Sequence, residues 1–156
     1  MQEKDRSRKA TNLEELFFYA LYGWNAHIDF RFIPKVIANN TFKQTGYKVF
    51  GYKLLLNTSG LKHILSRHMF EKSSDQRALT IEDISNISSI LKHCTLIRRG
   101  NKPDSIVYEK HFPNTKETHV FVVEIDALHR LVLGKSYWIK TSHLMCKPET
   151  KRPKRR

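Results

Sequence analysis

The chain has 156 residues, of which 28 are Lys or Arg and 15 are Asp or Glu, so its formal net charge is +13. This length predicts one domain with a hydrophobic core, and two cysteines, Cys94 and Cys146, are too few for a disulfide framework or a cysteine-based zinc ribbon. The sequence has no apolar run of membrane-spanning length and starts with charged residues, so we expect a cytoplasmic protein with no membrane partner and no classical secretory signal.

The basic residues are concentrated towards the C-terminus. Residues 147–156 carry six basic side chains, one acidic side chain and two prolines, which predicts a disordered basic tail. We expect residues 1–10 to be a flexible basic N-terminus and residues 11–146 to form the single domain. A basic tail beside a basic domain favours a nucleic-acid partner, although solubility alone would also explain it.

The first predicted helix is TNLEELFFYALYGW, residues 11–24. Thr11 or Asn12 can cap it, and each has an acidic residue three positions later. The apolar residues follow helical spacing and predict a core-facing stripe of Leu13, Leu16, Phe17, Ala20, Leu21 and Trp24. Residues 25–48 predict irregular structure, and residues 49–56 predict a strand.

A second helix is expected to begin at Thr58 and to continue through LKHILSRHMF. Its buried face is predicted to consist of Leu61, Ile64, Leu65 and His68. His63 and Arg67 are four residues apart and share a different face of this helix. A third helix starts at Thr80, whose capping partner is Asp83, and its predicted buried residues are Ile81, Ile84, Ile87 and Leu91.

After Leu91 the pattern changes to β-rich runs divided by turn residues. The predicted strands are 93–99, 105–111, 119–125 and 130–139. Their short connections predict an antiparallel meander. The chain is therefore expected to be an α+β domain, with N-terminal helices followed by a four- to five-stranded antiparallel sheet.

The helix around residues 61–68 contains the residue types that metal-independent RNA cleavage requires. That reaction needs a base for the 2′-hydroxyl proton, an acid for the leaving 5′-oxygen and a cation for the charged phosphorane. His63 and His68 can supply the first two groups, and Arg67 can supply the third. The simpler interpretation makes His68 a core histidine and the other two a solvated face. The two histidines are five residues apart, which does not match a helical zinc motif, so we expect no metal and no other cofactor.

The last predicted strand contains the unusual run GKSYW. Lys135 can bind a phosphate, Ser136 or the nearby Thr141 can donate to a phosphoryl oxygen, and Tyr137 or Trp138 can stack on a base. An edge strand with ordinary strand-favouring aromatic residues is an equally good interpretation.

Three further charged residues are candidates. Glu124 is the one charged residue within the apolar run VFVVEI and is a candidate general base. If Glu124 pairs with Val132, it should share a sheet face with Ser136, whereas a register slip of one residue would separate them. Arg98 and Arg99 are candidate phosphate contacts, or else belong to a solvated turn.

These segments together resemble the phage-associated group of the barnase–EndoU–colicin–RelE-like ribonuclease superfamily. The resemblance covers residues 47–145 and is carried by GYKLLLNTSGLKHILSRH, TIEDISNISSIL and HVFVVEIDALHRLVLGKSYWIKT. It implies helices before a four-stranded antiparallel sheet, and a metal-independent ribonuclease used as a toxin or phage effector. It also implies functional roles for His63, Arg67 and His68, and for a hydroxyl group that is either Ser136 or Thr141.

The resulting functional hypothesis is a toxin-type ribonuclease that cleaves RNA, tRNA included, by 2′-hydroxyl attack. A cognate inhibitor or immunity protein would be its protein partner, and it would act in the cytoplasm of the producing or target bacterial cell. The first alternative is a non-enzymatic nucleic-acid-binding phage or mobile-element regulator or inhibitor with the same fold. The second is an interaction module for an acidic partner.

Overall fold

The computed structural model describes residues 7–67, 79–94 and 96–140. The helices are α1 Leu13–Leu21, α2 Lys35–Thr45, α3 Thr58–Arg67, α4 Ile81–Ser85 and α5 Ile87–Lys92. The strands are β1 Arg8–Lys9, β2 Ala26–Phe32, β3 Lys53–Asn57, β4 Leu96–Arg99, β5 Ser105–Phe112, β6 Glu117–Ile125 and β7 Arg130–Lys140. The tail predicted at 147–156 lies outside the described residues.

The described strands form one mixed sheet in the order β1-β2-β3-β7-β6-β5-β4. The predicted antiparallel meander is confirmed for β4 to β7. The predicted strand count and the purely antiparallel arrangement are wrong, because β3 pairs with β7 in parallel and adds β2 and β1 to the sheet. The result is an α+β fold with a seven-stranded sheet in the described part of the chain.

Helix α2 lies in the segment that was predicted to be irregular. Two of its four buried residues are Thr41 and Thr45, which disguise the apolar stripe. Each threonine hydroxyl donates to the carbonyl four residues earlier at 2.7 Å. Both hydroxyls are therefore hydrogen-bonded although they are buried. The helix ends at Gly46, which has the left-handed φ of 83° that favours glycine.

The N-terminal region also differs from the prediction. Residues 8 and 9 pair with β2, and Ala10 is buried, so this part of the segment predicted as flexible belongs to the sheet and its core. In α1, Asn12 is the cap and accepts from the Glu15 N–H at 2.8 Å. Phe17 and Leu21 are 37% and 66% exposed, so they do not belong to the core stripe.

The third predicted helix is divided into α4 and α5 at Asn86. Its predicted capping box is confirmed, since Thr80 and Asp83 exchange hydrogen bonds at 2.9 and 3.1 Å. Ile81 is 40% exposed and therefore lies outside the core that was predicted to include it.

The core lies on the sheet face against which the helices pack. The sheet contributes buried side chains at alternating positions, among them Leu54, Leu56, Ile106, Phe121, Leu131 and Leu133. The helices contribute Leu16, Ile37, Ile64, Ile84 and Leu91. Polar side chains are therefore concentrated on the opposite face and at the strand ends, where the cleft described next is found.

Candidate functional site

A cleft of about 570 Å³ lies between the start of α3, the middle of β7 and the turn that joins β4 to β5. Side chains from β3, α3, β4, β5, β6, β7 and the β4–β5 turn line it. The polar members are Asn57, Ser59, His63, Arg98, Asn101, Lys102, Ser105, Glu124, Lys135 and Tyr137. The cleft therefore brings together the predicted candidates His63, Arg98, Glu124, Lys135 and Tyr137.

Helix α3 can pack closely against β7 because Gly60 has no side chain. A Cβ atom at this position would lie 2.5 Å from the Leu133 carbonyl oxygen. The Asn57 side chain accepts a hydrogen bond from the Gly60 N–H at 2.8 Å and so caps the first turn. His63 follows three residues later, so this close packing positions its imidazole at the cleft.

Strand β7 contains a β-bulge at Gly134. Val122 pairs with Lys135 and Val123 pairs with Leu133, so Gly134 has no counterpart on β6. The extra residue reverses which side chains face the core. Lys135 and Tyr137 consequently line the cleft, together with Glu124 of β6.

The same bulge corrects one prediction. Glu124 pairs with Val132, so the condition set for a shared face is met, but Ser136 lies on the opposite face and is fully buried. The Ser136 Oγ lies 2.7 Å from Nε2 of the buried His119, with which it forms a hydrogen bond. The prediction that Ser136 shares a face with Glu124 is therefore wrong.

Two other candidates are placed away from the cleft. Trp138 is 6% exposed, and its indole N–H donates to the Asp83 carboxylate at 2.9 Å, so the predicted base-stacking surface at Trp138 is wrong. The Arg99 Nε donates to the Thr45 carbonyl at 2.7 Å, and its guanidinium lies 4.8 Å from the Tyr47 ring centre. Arg99 therefore anchors the C-terminal end of α2.

The cleft contains more positive than negative side chains. Lys102 lies 4.0 Å from Glu124, and the Arg98 Nε donates to Glu109 at 3.2 Å. The carboxylate of Glu124 is on a side chain that is 53% exposed, so it is accessible to a ligand. Burial raises the pKa of Tyr137, and neighbouring Arg98 partly offsets that rise. The Tyr137 phenol therefore stays protonated and can donate a hydrogen bond at neutral pH.

Three predicted candidates stay untested. His68 and Thr141 lie outside the described residues, as does the side chain of Arg67. By helical spacing Arg67 is one turn after His63 at the end of α3.

Asn57, Ser59, Asn101 and Ser105 also line the cleft, although none of them was predicted to be a functional residue. An available signal was Asn57 itself, which stands three residues before Gly60 at the start of a helix and is a good capping residue.

Within ranges 7–67, 79–94 and 96–140, no three His, Cys, Asp or Glu side chains are grouped so that they could hold a metal ion. Of the helices that the structure describes, none is long and apolar enough to cross a membrane.

A family model described as phage-Barnase-EndoU-ColicinE5/D-RelE like nuclease3 (PBECR3) matches residues 31–146. The match begins within β2, includes every element from α2 to β7 and covers more than half of the chain. No curated protein and no solved structure matches the chain.

The close contact at Gly60 predicts the sign of a stability change. In an unobstructed helix, Gly60→Ala would stabilise the protein by about 0.5–1 kcal/mol. Because the new Cβ would meet the Leu133 backbone, we expect a loss of about 1–3 kcal/mol instead, measured by urea unfolding. Ser66→Ala, at an exposed position of the same helix, is the control for helix propensity. An increase in stability on Gly60→Ala would show that α3 does not pack on β7 in this way.

Proposed function

The chain belongs to the phage-Barnase-EndoU-ColicinE5/D-RelE like nuclease family, and on that premise we propose that it cleaves RNA at the cleft between α3 and β7 by 2′-hydroxyl attack, without a metal ion. One observation carries the proposal. An imidazole from α3, a carboxylate from β6 and an ammonium group from β7 line the same cleft: His63, Glu124 and Lys135.

Glu124 is the proposed general base. Its carboxylate takes the proton of the 2′-hydroxyl while the 2′-oxygen attacks the adjacent phosphorus. The exposed position of Glu124 allows RNA to reach it, and Lys102 lies 4.0 Å away. A carboxylate suits this role because it is already deprotonated at neutral pH.

His63 is the proposed general acid. As the bond from phosphorus to the 5′-oxygen breaks, the imidazolium gives a proton to that oxygen. The products are a 2′,3′-cyclic phosphate and a 5′-hydroxyl end, so no water molecule is consumed in this step. Imidazole suits this role because both of its forms are accessible near neutral pH.

The cations of the cleft bind and stabilise the phosphate. Lys135 is the proposed partner of the phosphoryl oxygens in the transition state, with Arg98 and Lys102 as further phosphate contacts. Tyr137 offers a protonated phenol and an aromatic face for a base.

Three further roles are part of the proposal. Arg67 would bind the same phosphate as His63, His68 would be a second acid–base group, and Thr141 would donate a hydrogen bond to a phosphoryl oxygen. Thr141 directly follows β7, and His68 directly follows α3. Ser136 has no part in this proposal, because it is buried on the other sheet face.

The proposed biological role is that of a toxin or effector. RNA would be the substrate, with tRNA as one candidate, and a cognate inhibitor would be the protein partner. The net charge of +13 favours a polyanionic ligand, and the same observation would also suit a nucleic-acid-binding regulator that does not cleave. The next experiment separates the two roles.

The acid–base roles predict changes in the pH profile of single-turnover RNA cleavage. His63→Ala and Glu124→Gln should each lower the rate by about 10²–10⁴-fold. A base must be deprotonated, so Glu124→Gln should remove the fall in rate at acidic pH. An acid must be protonated, so His63→Ala should remove the fall at alkaline pH.

Matched controls are His93→Ala and Glu14→Gln, which change exposed residues at the end of α5 and in α1. Wild-type rates and an unchanged pH profile in both cleft variants would overturn the proposed roles. Binding of RNA by the wild-type protein without any cleavage, in EDTA or in Mg²⁺, would support the non-enzymatic regulator.

The bulge predicts opposite effects for two neighbouring residues. Lys135→Ala should lower the single-turnover rate by about tenfold or more with little change in stability, since Lys135 is exposed in the cleft. Ser136→Ala should lower the free energy of unfolding by about 1–3 kcal/mol, because it removes a buried hydrogen bond to His119, and should leave the rate unchanged. Measuring both quantities for both variants checks the prediction. A slow but fully stable Ser136→Ala variant would contradict it.

A further inference from the structure

A second hollow, of about 200 Å³, adjoins the cleft on the side of β2. The two spaces share Asn57 and Ser59, so a ligand in one can extend into the other. The other polar residues of the hollow are Ser7, Asn25, His27, Thr58 and Arg130.

Two planar side chains in this hollow are held at their edges by polar contacts. The Nδ1 atom of His27 lies 2.6 Å from the Ser7 hydroxyl, and its Nε2 atom lies 3.9 Å from Asp29. Arg130 donates from Nε to the Asp126 carboxylate at 2.8 Å, and its terminal nitrogen lies at the same distance from that carboxylate. With the edges of both groups occupied, their flat faces remain for a ligand. Flat imidazole and guanidinium faces are surfaces on which nucleobases stack.

The carboxylate that holds Arg130 keeps its charge over a wide pH range. Partial burial works to raise the pKa of Asp126, but hydrogen bonds from the Arg130 side chain and backbone and from the Leu128 N–H outweigh it and lower that pKa. Arg130 is therefore held in place at neutral pH, and its charge is already paired with a carboxylate.

The remaining polar groups of the hollow are neutral. They are the amides of Asn25 and Asn57 and the hydroxyls of Ser7, Thr58 and Ser59. The Asn57 oxygen already accepts from the Gly60 N–H, which orients its amide group. Neutral amides and hydroxyls are suited to the edges of bases, whereas the lysines of the cleft are suited to phosphates.

We propose that this hollow is a subsite for one unpaired nucleobase, which stacks on His27 and Arg130, and that this base belongs to a nucleotide next to the phosphate bound in the cleft. The inference rests on the proposed function for the position of that phosphate. It assigns His27, Arg130 and Asn57 to substrate recognition. It also predicts a preference for single-stranded over double-stranded RNA, because a base within a double helix cannot enter the hollow.

The test uses DNA oligonucleotides that contain a single ribonucleotide, so that cleavage can occur at one position. One base is removed, either from the ribonucleotide itself, which keeps its 2′-hydroxyl, or from the deoxynucleotide directly 3′ of it, because these two nucleotides flank the phosphate that is cleaved. For the wild-type protein, removing the base on one of the two sides should lower kcat/KM by about 5- to 100-fold. His27→Ala should discriminate less between the intact and the abasic oligonucleotides than the wild type does, because one of the two stacking partners is already lost.

Two further variants keep the result interpretable. His27→Phe retains a flat face and should discriminate against the abasic oligonucleotide as the wild type does. His93→Ala, an exposed histidine outside both spaces, should also behave like the wild type. Equal discrimination by wild type and His27→Ala, in variants that are folded by circular dichroism, would overturn the subsite.

Fluorescence anisotropy with the all-deoxy oligonucleotides separates this inference from the proposed function. These probes lack the 2′-hydroxyl and report affinity without cleavage. A His27-dependent loss of affinity for the abasic probe, in a protein that cleaves no RNA, would support the subsite and refute the proposed reaction. Normal cleavage with no His27-dependent effect of the base would refute the subsite and leave the proposed reaction intact.

Discussion

The single extra residue at Gly134 determines what strand β7 presents to each face of the sheet. Before the bulge, Leu131 and Leu133 pack in the core, and after it Ser136 and Trp138 do so. Without the bulge, the two-residue period would direct Lys135 and Tyr137 into the core. A lysine in that position would be buried without a counter-charge, so the bulge is a condition both for the packing of the sheet and for the charge of the cleft.

The second constraint is the close packing of α3 on β7. The Gly60 backbone lies against the Leu133 carbonyl, one residue before the bulge. The helix that carries His63 and the strand that carries Lys135 are therefore fixed to each other by backbone atoms. Parallel pairing of β3 with β7 supports this arrangement, because α3 starts directly where β3 ends. Precise placement of an acid, a base and a cation depends on such rigid elements.

The sequence predicted the features that depend on local patterns. The capping box of α4, the start of α3 and the four strands of the meander follow from capping residues and apolar periodicity, and the structure confirms them. The turn at residues 126–130 left two registers open, and the structure adopts the one in which Glu124 pairs with Val132. The family resemblance, drawn from the same motifs, agrees with the family model.

The features that depend on distant contacts could not be predicted. Helix α2 is stabilised by buried threonines whose hydroxyls bond to the backbone, and no single-residue pattern reveals that. Strand β2 joins the sheet only because β3 pairs with β7. The position of Ser136 depends on a bulge, and a bulge changes the face of every later residue in the strand while leaving the composition of the strand unchanged. Lys135 and Tyr137 were predicted together with Ser136 and Trp138, although consecutive residues of a strand alternate between its faces, and the bulge decides which pair faces the core.

The central claim is that RNA bound in the cleft is cleaved by attack of its own 2′-hydroxyl on the adjacent phosphorus, without a metal ion. Mass spectrometry of the ends that the purified protein produces from single-stranded RNA in excess EDTA tests this claim most directly. The account predicts 2′,3′-cyclic phosphate and 5′-hydroxyl ends, and no cleavage where the scissile nucleotide carries a 2′-O-methyl group. Products with 5′-phosphate ends, or cleavage that requires an added divalent cation, would contradict it.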